Sequence, residues 1–150
     1  MAQTLVSLLV HIVFSTKHRE DLITPSVESH LYAYLGGIAK EQQGRLLAAG
    51  GITNHVHLLV SQSKTVALSD LLEEMKKSCS KWIKTQGPEF GRFHWQDGYG
   101  AFTIGASQVP AVRAYLARQK EHHRTQSFQD EFIALLGKYG VEYDERYLWN

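Results

Sequence analysis

The sequence predicts an α+β sandwich in which the segments follow the order β-α-β-β-α-β, with further helices after them. Apolar runs rich in β-branched residues mark the strands, and amphipathic segments with typical helix ends separate them. A chain of 150 residues has the size of one domain with a sizeable core. This order is that of the ferredoxin-like fold, whose antiparallel sheet packs both inner helices on one face.

Each strand is predicted from an apolar run bounded by turn-forming or polar residues. The predicted strands cover residues 6–14, 45–53, 55–61 and 98–104. The second and third are so close that we expect an antiparallel hairpin. The first run follows no positive charge and is too short to cross a bilayer, so we expect a cytoplasmic protein without a membrane segment.

Each helix is predicted from its ends and from the spacing of its apolar residues. The predicted helices cover approximately residues 25–43, 69–87, 108–124 and 128–138. Thr24 and Pro25 suit the start of the first helix as N-cap and first-turn proline. The second helix has acidic residues early and lysines late, which matches the helix dipole. Cys79 falls on its apolar stripe, so we assign this side chain to the core.

Composition narrows the class of protein. The 43% hydrophobic and 11% aromatic content is typical of a globular chain. A net charge of +1 gives no overall attraction to nucleic acid, although a local basic patch is compatible with it. The single cysteine excludes an internal disulfide and fits a reducing compartment.

The most informative motif is His55-Val56-His57 in the predicted third strand. Alternate side chains of a strand point to opposite faces, so both histidines share one face while Val56 points into the core. Two imidazoles held at a fixed spacing form half of a metal site. The alternative is a pair of histidines that is merely hydrogen bonded on a half-buried face.

A second half of the site is predicted on the third helix. Tyr115 and Gln119 are four residues apart, so they lie one above the other on one helix face. A divalent ion held by two imidazoles and an amide oxygen can polarise a phosphodiester, and a tyrosine hydroxyl can then attack it. Because a phosphotyrosine ester preserves the energy of the cleaved phosphodiester bond, this combination favours strand transfer over hydrolysis. Taken alone, Tyr115 would be a packing aromatic and Gln119 a surface amide.

Four segments together resemble the single-tyrosine HUH transposases of bacterial insertion sequences, whose relatives include the REP-associated tyrosine transposases. These segments are residues 10–17, Asn54–Leu59, Trp95–Phe102 and Tyr115–Gln119. The resemblance covers nearly the whole chain and implies a single HUH transposase domain over residues 1–150. Its parts would be a core at about 5–105, a nucleophile helix at about 108–124, and a C-terminal helix and tail at 127–150.

The resemblance implies a metal-dependent endonuclease and strand transferase that cleaves single-stranded DNA near hairpins. Tyr115 would be the nucleophile that becomes joined to a 5′ phosphate. His55, His57 and Gln119 would hold the metal ion. Further residues are expected to lie around the metal site or to contact DNA, namely His11, Lys17, Arg118 and His122.

The resemblance also bears on the cofactor and the partner. Imidazole ligands by their chemistry favour zinc, nickel or manganese, but we follow the family and expect Mg²⁺ or Mn²⁺. A homodimer is implied, in which the fourth strands meet and the tyrosine serves the histidines of its own or of the other subunit. Asn54 stands where many relatives have aspartate, which leaves the subfamily open.

Other classes share part of the pattern. An RNA-recognition module has the same element order, and Gly98–Phe102 is similar to its aromatic third-strand motif, but here the motif falls on the fourth strand. A hydrolase built on a His-x-His pair needs further Asp or His ligands nearby, and none follows in the ten residues after His57. A relative that binds DNA hairpins without cutting them stays an alternative.

Overall fold

The computed structural model describes residues 2–150, and its elements follow the predicted order. The strands are β1 (Leu9–Ser15), β2 (Arg45–Ile52), β3 (His55–Ser61) and β4 (Gly100–Ile104). The helices are α1 (Pro25–Glu41), α2 (Leu68–Ile83), α3 (Val109–Ala117), α4 (Gln119–His122), α5 (Phe128–Lys138) and α6 (Glu145–Leu148). No helix in this described part of the chain has the length and apolar content needed to cross a membrane.

The strands form one antiparallel sheet in the order β2-β3-β1-β4, which is the ferredoxin-like order. The predicted fold class is therefore confirmed, with β3 in the centre and β4 at an edge. The predicted start of the first strand at residue 6 is wrong. Leu9 is the first paired residue of β1, because its partners Ser61 and Ile104 are the last residues of β3 and β4.

One face of the sheet packs against α1 and α2 and forms the main core. The strand residues in this core are Ile12, Phe14, Val56, Leu58 and Val60. Cys79 is buried among them from α2, as predicted. Because Val56 points to this side, its neighbours His55 and His57 point to the opposite face.

The opposite face of the sheet is covered by α3, α4 and α5 of the same chain. Apolar contacts hold them there: Leu116 of α3 packs with Leu59, and Phe132 of α5 packs with Val13. Glycines let the helices come close. A Cβ on Gly50 would lie 2.0 Å from the Leu116 carbonyl oxygen, and one on Gly100 would lie 2.5 Å from the Phe132 ring. The histidine face is thus buried rather than open.

The predicted continuous helix over residues 108–124 is wrong in one respect that concerns the site. A 3₁₀ turn occupies Ala106–Gln108, α3 ends at Ala117, and a separate short α4 begins at Gln119. Arg118 between them has φ −102° and ψ 15°, outside helical geometry. The break lies between Tyr115 and Gln119, so their relative position is set by this bend as well as by helical spacing.

Candidate metal centre and tyrosine site

The strand half of the site consists of His55 and His57 on β3 and His11 on β1. The side chains of His55 and His57 are fully buried. A hydrogen bond of 2.8 Å joins His57 Nδ1 to His11 Nε2, and His55 Nδ1 lies 2.9 Å from Asn54 Oδ1. These contacts occupy the Nδ1 atoms, so both rings present Nε2 to the same space beneath the helices.

The helical half brings three more polar side chains into that space. Gln119 Oε1 lies 3.0 Å from His55 Nε2, and Glu131 Oε1 lies 2.9 Å from His57 Nε2. His123 Nε2 is 3.0 Å from each of these two oxygens. Gln119 Nε2 donates a 2.9 Å hydrogen bond to Glu131 Oε2, which fixes the amide with its oxygen toward the histidines.

The donor atoms of His55, His57, His123 and Glu131 all lie within 4.8 Å of one another. Neutral imidazoles and a carboxylate are ligands that divalent transition metals accept readily. The four side chains, nearly all of them buried, come from β3, from the residue after α4 and from α5. This group could therefore bind a divalent metal ion.

The hydrogen bonds of His123 favour a positive charge at its Nε2 atom: burial would lower the pKa of His123, but the hydrogen bond to Glu131 raises it. Its Nδ1 lies 2.7 Å from the carbonyl oxygen of Gln126, which can only accept, so Nδ1 carries a proton. Its Nε2 faces Gln119 Oε1 and Glu131 Oε1, which are also acceptors. A neutral ring would turn a lone pair toward two oxygens. Only a second proton or a cation between these atoms makes the arrangement favourable.

The nucleophile candidate lies at the same carboxylate. The Tyr115 hydroxyl donates a hydrogen bond to Glu131 Oε2. The Tyr115 ring also stands edge-on to His57, with ring centroids 5.7 Å apart. Glu131 therefore contacts the histidines through one oxygen and Tyr115 and Gln119 through the other.

The buried charge of Glu131 sets the electrostatics of the site. Burial would by itself raise the pKa of Glu131, but hydrogen bonds from His123, His55 and His57 hold this pKa far below its usual range. Burial lowers the pKa of His57 to about 4, so this ring is neutral at pH 7. Burial and the neighbouring Glu131 carboxylate raise the pKa of Tyr115. The phenol therefore keeps its proton in this state.

Comparison with known sequences identifies the family. The sequence model of the IS200-like transposases matches residues 4–119. This chain belongs to the IS200-like transposase family. The family resemblance inferred from the motifs is thereby confirmed, and at this level the chain is related to DNA transposases.

Individual relatives agree with the family. The chain is 21% identical to the ISDra2 transposase TnpA of Deinococcus radiodurans over 116 residues, which is 74% of this chain and 83% of that protein. A crystal structure at 1.90 Å of a Deinococcus radiodurans R1 protein assigned as a transposase shares the fold, with a TM-score of 0.62, 20% identity and coverage of 79% and 95% of the two chains. A REP-associated tyrosine transposase bound to a REP hairpin also shares it, with a TM-score of 0.61, 11% identity and coverage of 82% and 73%.

Most of the residues that the sequence singled out come together. His55, His57, Gln119 and Tyr115 meet at Glu131, and His11 supports His57. Arg118 and His122 line a cavity next to Tyr115, and His122 Nε2 is 3.4 Å from Glu131 Oε2. Lys17 is not among them. It is exposed in a 3₁₀ turn and lines a different surface pocket with His94 and Arg92.

Sequence reasoning missed Glu131 and assigned no role to His123. A signal for Glu131 was present: it falls between Phe128 and Leu135 at helical spacing, on the face of α5 that the apolar residues bury. An acid on such a face must have a partner, because an unpaired buried charge is strongly unfavourable. His123 follows Gln119 by four residues, but only the bend at Arg118 and the position of α5 give it a role.

Proposed function

We propose that this protein is a metal-dependent single-stranded DNA endonuclease and strand transferase, with Tyr115 as nucleophile and a covalent 5′-phosphotyrosine as intermediate. The observation that carries the proposal is the meeting of the Tyr115 hydroxyl and a metal-type donor set at Glu131. A binding module has no use for that juxtaposition. The relative solved with a REP hairpin supports hairpin-forming DNA as the substrate.

The proposed metal ligands are His55, His57 and Gln119, together with Glu131 and His123. The fit rests on donor chemistry, because the acceptor oxygens of Gln119 and Glu131 face the Nε2 atoms of histidines at 2.9–3.0 Å. We propose Mg²⁺ or Mn²⁺ as the ion, with Mn²⁺ suiting the imidazoles better. When bound, such an ion would polarise the scissile phosphate and neutralise the charge that develops on it.

In the proposed reaction the Tyr115 oxygen bonds to phosphorus while the bond from phosphorus to the 3′ oxygen breaks, and the proton lost by the phenol is balanced by the one that the departing oxygen gains as a free 3′ hydroxyl. Glu131 Oε2 already accepts the hydrogen bond from the phenol and so orients the Tyr115 oxygen. Gln119 donates to the same carboxylate oxygen and fixes its orientation. The reverse reaction, in which a 3′ hydroxyl attacks the phosphotyrosine, rejoins strands.

We also propose that the active form is a homodimer. β4 lies at an edge of the sheet, and edge strands can pair with the same strand of a second copy. Within one chain, Tyr115 already reaches the carboxylate that contacts its own histidines. This arrangement supports an active site in which the tyrosine serves the metal ligands of its own subunit.

The decisive experiment is an adduct assay. Single-stranded oligonucleotides that tile the DNA flanking the gene are incubated with the protein and Mn²⁺ or Mg²⁺, and the products are separated on a denaturing gel. We expect a covalent protein–DNA adduct that is lost with chelator and in Tyr115→Phe, and retained in the control Tyr143→Phe, whose side chain is exposed. Hairpin binding without any adduct would instead favour a relative that binds DNA hairpins without cutting them.

A further inference from the structure

A cavity of about 400 Å³ lies between α3 and α5 and reaches down to Tyr115, Glu131 and His11. Cavities that hold small ligands have volumes of about 300–1,000 Å³. The cavity ends at the site of the proposed chemistry, so whatever occupies it lies beside the Tyr115 hydroxyl. The proposed metal ligands other than Glu131 do not line it.

The walls of the cavity are apolar and come from two helices. α3 contributes Ala111 and Val112, and α5 contributes Ala134 and Leu135. The two alanines are exposed, and their small side chains leave the space between the helices open. Tyr139 completes the wall, and its ring is held in place by stacking on Phe102 with centroids 4.7 Å apart.

Arg118 and Lys138 supply positive charge at the cavity. Both line it and both are exposed. Within residues 2–150 neither side chain forms a salt bridge, and Glu131, the one carboxylate that lines the cavity, is engaged by His57 and Tyr115. The net charge of the chain is only +1, so this positive charge is a local feature. Apolar walls with cations beside them are complementary to a nucleotide, which has a flat base and an anionic phosphate.

We propose that this cavity is a nucleotide subsite that holds the nucleotide next to the scissile phosphate. The inference rests on the proposed function and adds the residues that bind the substrate. The base and sugar would lie against Val112, Leu135 and Tyr139, and a phosphate would lie near Arg118 and Lys138. Half of this subsite comes from α5, which lies beyond the residues matched by the family model.

Filling the cavity tests the proposal. Ala111→Leu and Ala134→Leu each add bulk to a cavity wall without removing a polar group. Ala114→Leu is the matched control, because Ala114 is an exposed residue of α3 that does not line the cavity. Binding is measured by fluorescence anisotropy in Mn²⁺ with a mixed-sequence single strand of roughly 12 nucleotides. We expect each filling variant to weaken binding at least about tenfold and the control to bind as wild type does.

The positive charge of Lys138 at the cavity gives an independent test, through the salt dependence of DNA binding. Loss of one contact between a lysine and a single-stranded phosphate lowers the slope of log K against log salt by about 0.7. We expect this change in Lys138→Ala and no change in Lys40→Ala, since Lys40 is an exposed residue of α1 on the other side of the sheet. Equal slopes in the two variants, together with unchanged affinity in Ala111→Leu and Ala134→Leu, would overturn the subsite.

A second measurement on the unaltered protein decides the matter if a filling variant misfolds. The four deoxynucleoside 5′-monophosphates are titrated into methyl-labelled protein, and we expect NMR shifts at the methyls of Ala111, Ala134 and Leu135. Shifts elsewhere only would overturn the proposal. If Tyr115 forms an adduct but Ala111→Leu and Ala134→Leu do not weaken DNA binding, the subsite alone is refuted. If the cavity binds nucleotides but no substrate gives an adduct, the proposed reaction alone is refuted.

Discussion

The Tyr115 hydroxyl on α3 donates a hydrogen bond to Glu131 Oε2 on α5, and the other oxygen of this carboxylate lies 2.9 Å from His57 Nε2 on β3. One side chain thus connects the nucleophile candidate with the proposed metal ligands. The carboxylate is 2% exposed, so solvent screens its charge only weakly. A change at Glu131 should therefore affect both metal binding and the position of Tyr115.

Glu131→Gln should weaken Mn²⁺ binding. The substitution keeps the shape of the side chain but removes the negative charge that balances a divalent ion among three imidazoles. We expect the dissociation constant for Mn²⁺, measured by isothermal titration calorimetry, to rise by a factor of about 10 to 100. Asp130→Asn is the matched control, because the neighbouring Asp130 carboxylate is exposed and absent from the donor group. Equal affinities in the two variants would show that Glu131 is not a ligand.

Gly50→Ala should detach α3 from the sheet. The added Cβ would lie 2.0 Å from the Leu116 carbonyl oxygen, and backbone cannot move aside as a side chain can. We expect the free energy of unfolding, measured in urea, to fall by about 1–3 kcal/mol.

Gly37→Ala is the control with the opposite sign. Gly37 lies inside α1, and a Cβ there meets no atom within 4 Å. Replacing a glycine in a helix interior by alanine stabilises the helix by about 0.5–1 kcal/mol. If Gly50→Ala were as stable as wild type while Gly37→Ala were stabilised, the close approach of α3 would be incorrect.

The buried histidines predict that the metal-free protein loses stability in mild acid. Burial lowers the pKa of His57 to about 4 and, with the charge of His57 adding to the effect, that of His11 to about 3. In the unfolded chain both rings titrate near 6.5, so between about 6.5 and 4 the unfolded state binds more protons. These two rings therefore contribute stability that is present above pH 6.5 and lost as the pH falls through this window, and His123, whose pKa is raised by Glu131, offsets part of the loss.

The measurement is urea unfolding in chelator at pH 7 and pH 5. For the wild type we expect the free energy of unfolding to be lower at pH 5 by about 1–3 kcal/mol. In His11→Gln the difference between the two pH values should shrink, because one of the two depressed groups is gone. In His94→Gln, where the ring is exposed, it should stay the same. A wild type as stable at pH 5 as at pH 7 would contradict the prediction.

Ser127→Ala should weaken the helix that carries Glu131. The Ser127 hydroxyl accepts a 3.1 Å hydrogen bond from the Asp130 backbone N–H at the start of α5. Loss of such an N-cap costs about 1 kcal/mol. We expect that decrease in the free energy of unfolding with Mn²⁺ affinity unchanged, since no ligand is altered. Ser127→Asp, which keeps an acceptor at the cap, should restore the stability.

The sequence was sufficient to predict those parts of the site that depend on the periodicity of a single strand or helix. The alternation of side chains on β3 placed Val56 in the core and His55 and His57 together on the other face, as the structure shows. The bounds of α5 were predicted correctly from the helical spacing of its apolar residues, whereas Thr24 lies at the N-cap of α1 without a side-chain hydrogen bond to the helix. The prediction failed at Arg118, because a bend there depends on how α3 and α4 pack on the sheet and not on a local helix breaker.

What the sequence by itself determined is the order of the elements, the shared face of the two histidines and the candidates Tyr115 and Gln119, because strand and helix periodicity fix relations between residues a few positions apart. Only the tertiary structure decided that Glu131 and His123 join them and that the Tyr115 hydroxyl meets this group through Glu131. Those contacts join residues far apart in the sequence. They exist because Gly50 and Gly100 let α3 and α5 lie against the histidine face, and no local period records such an approach.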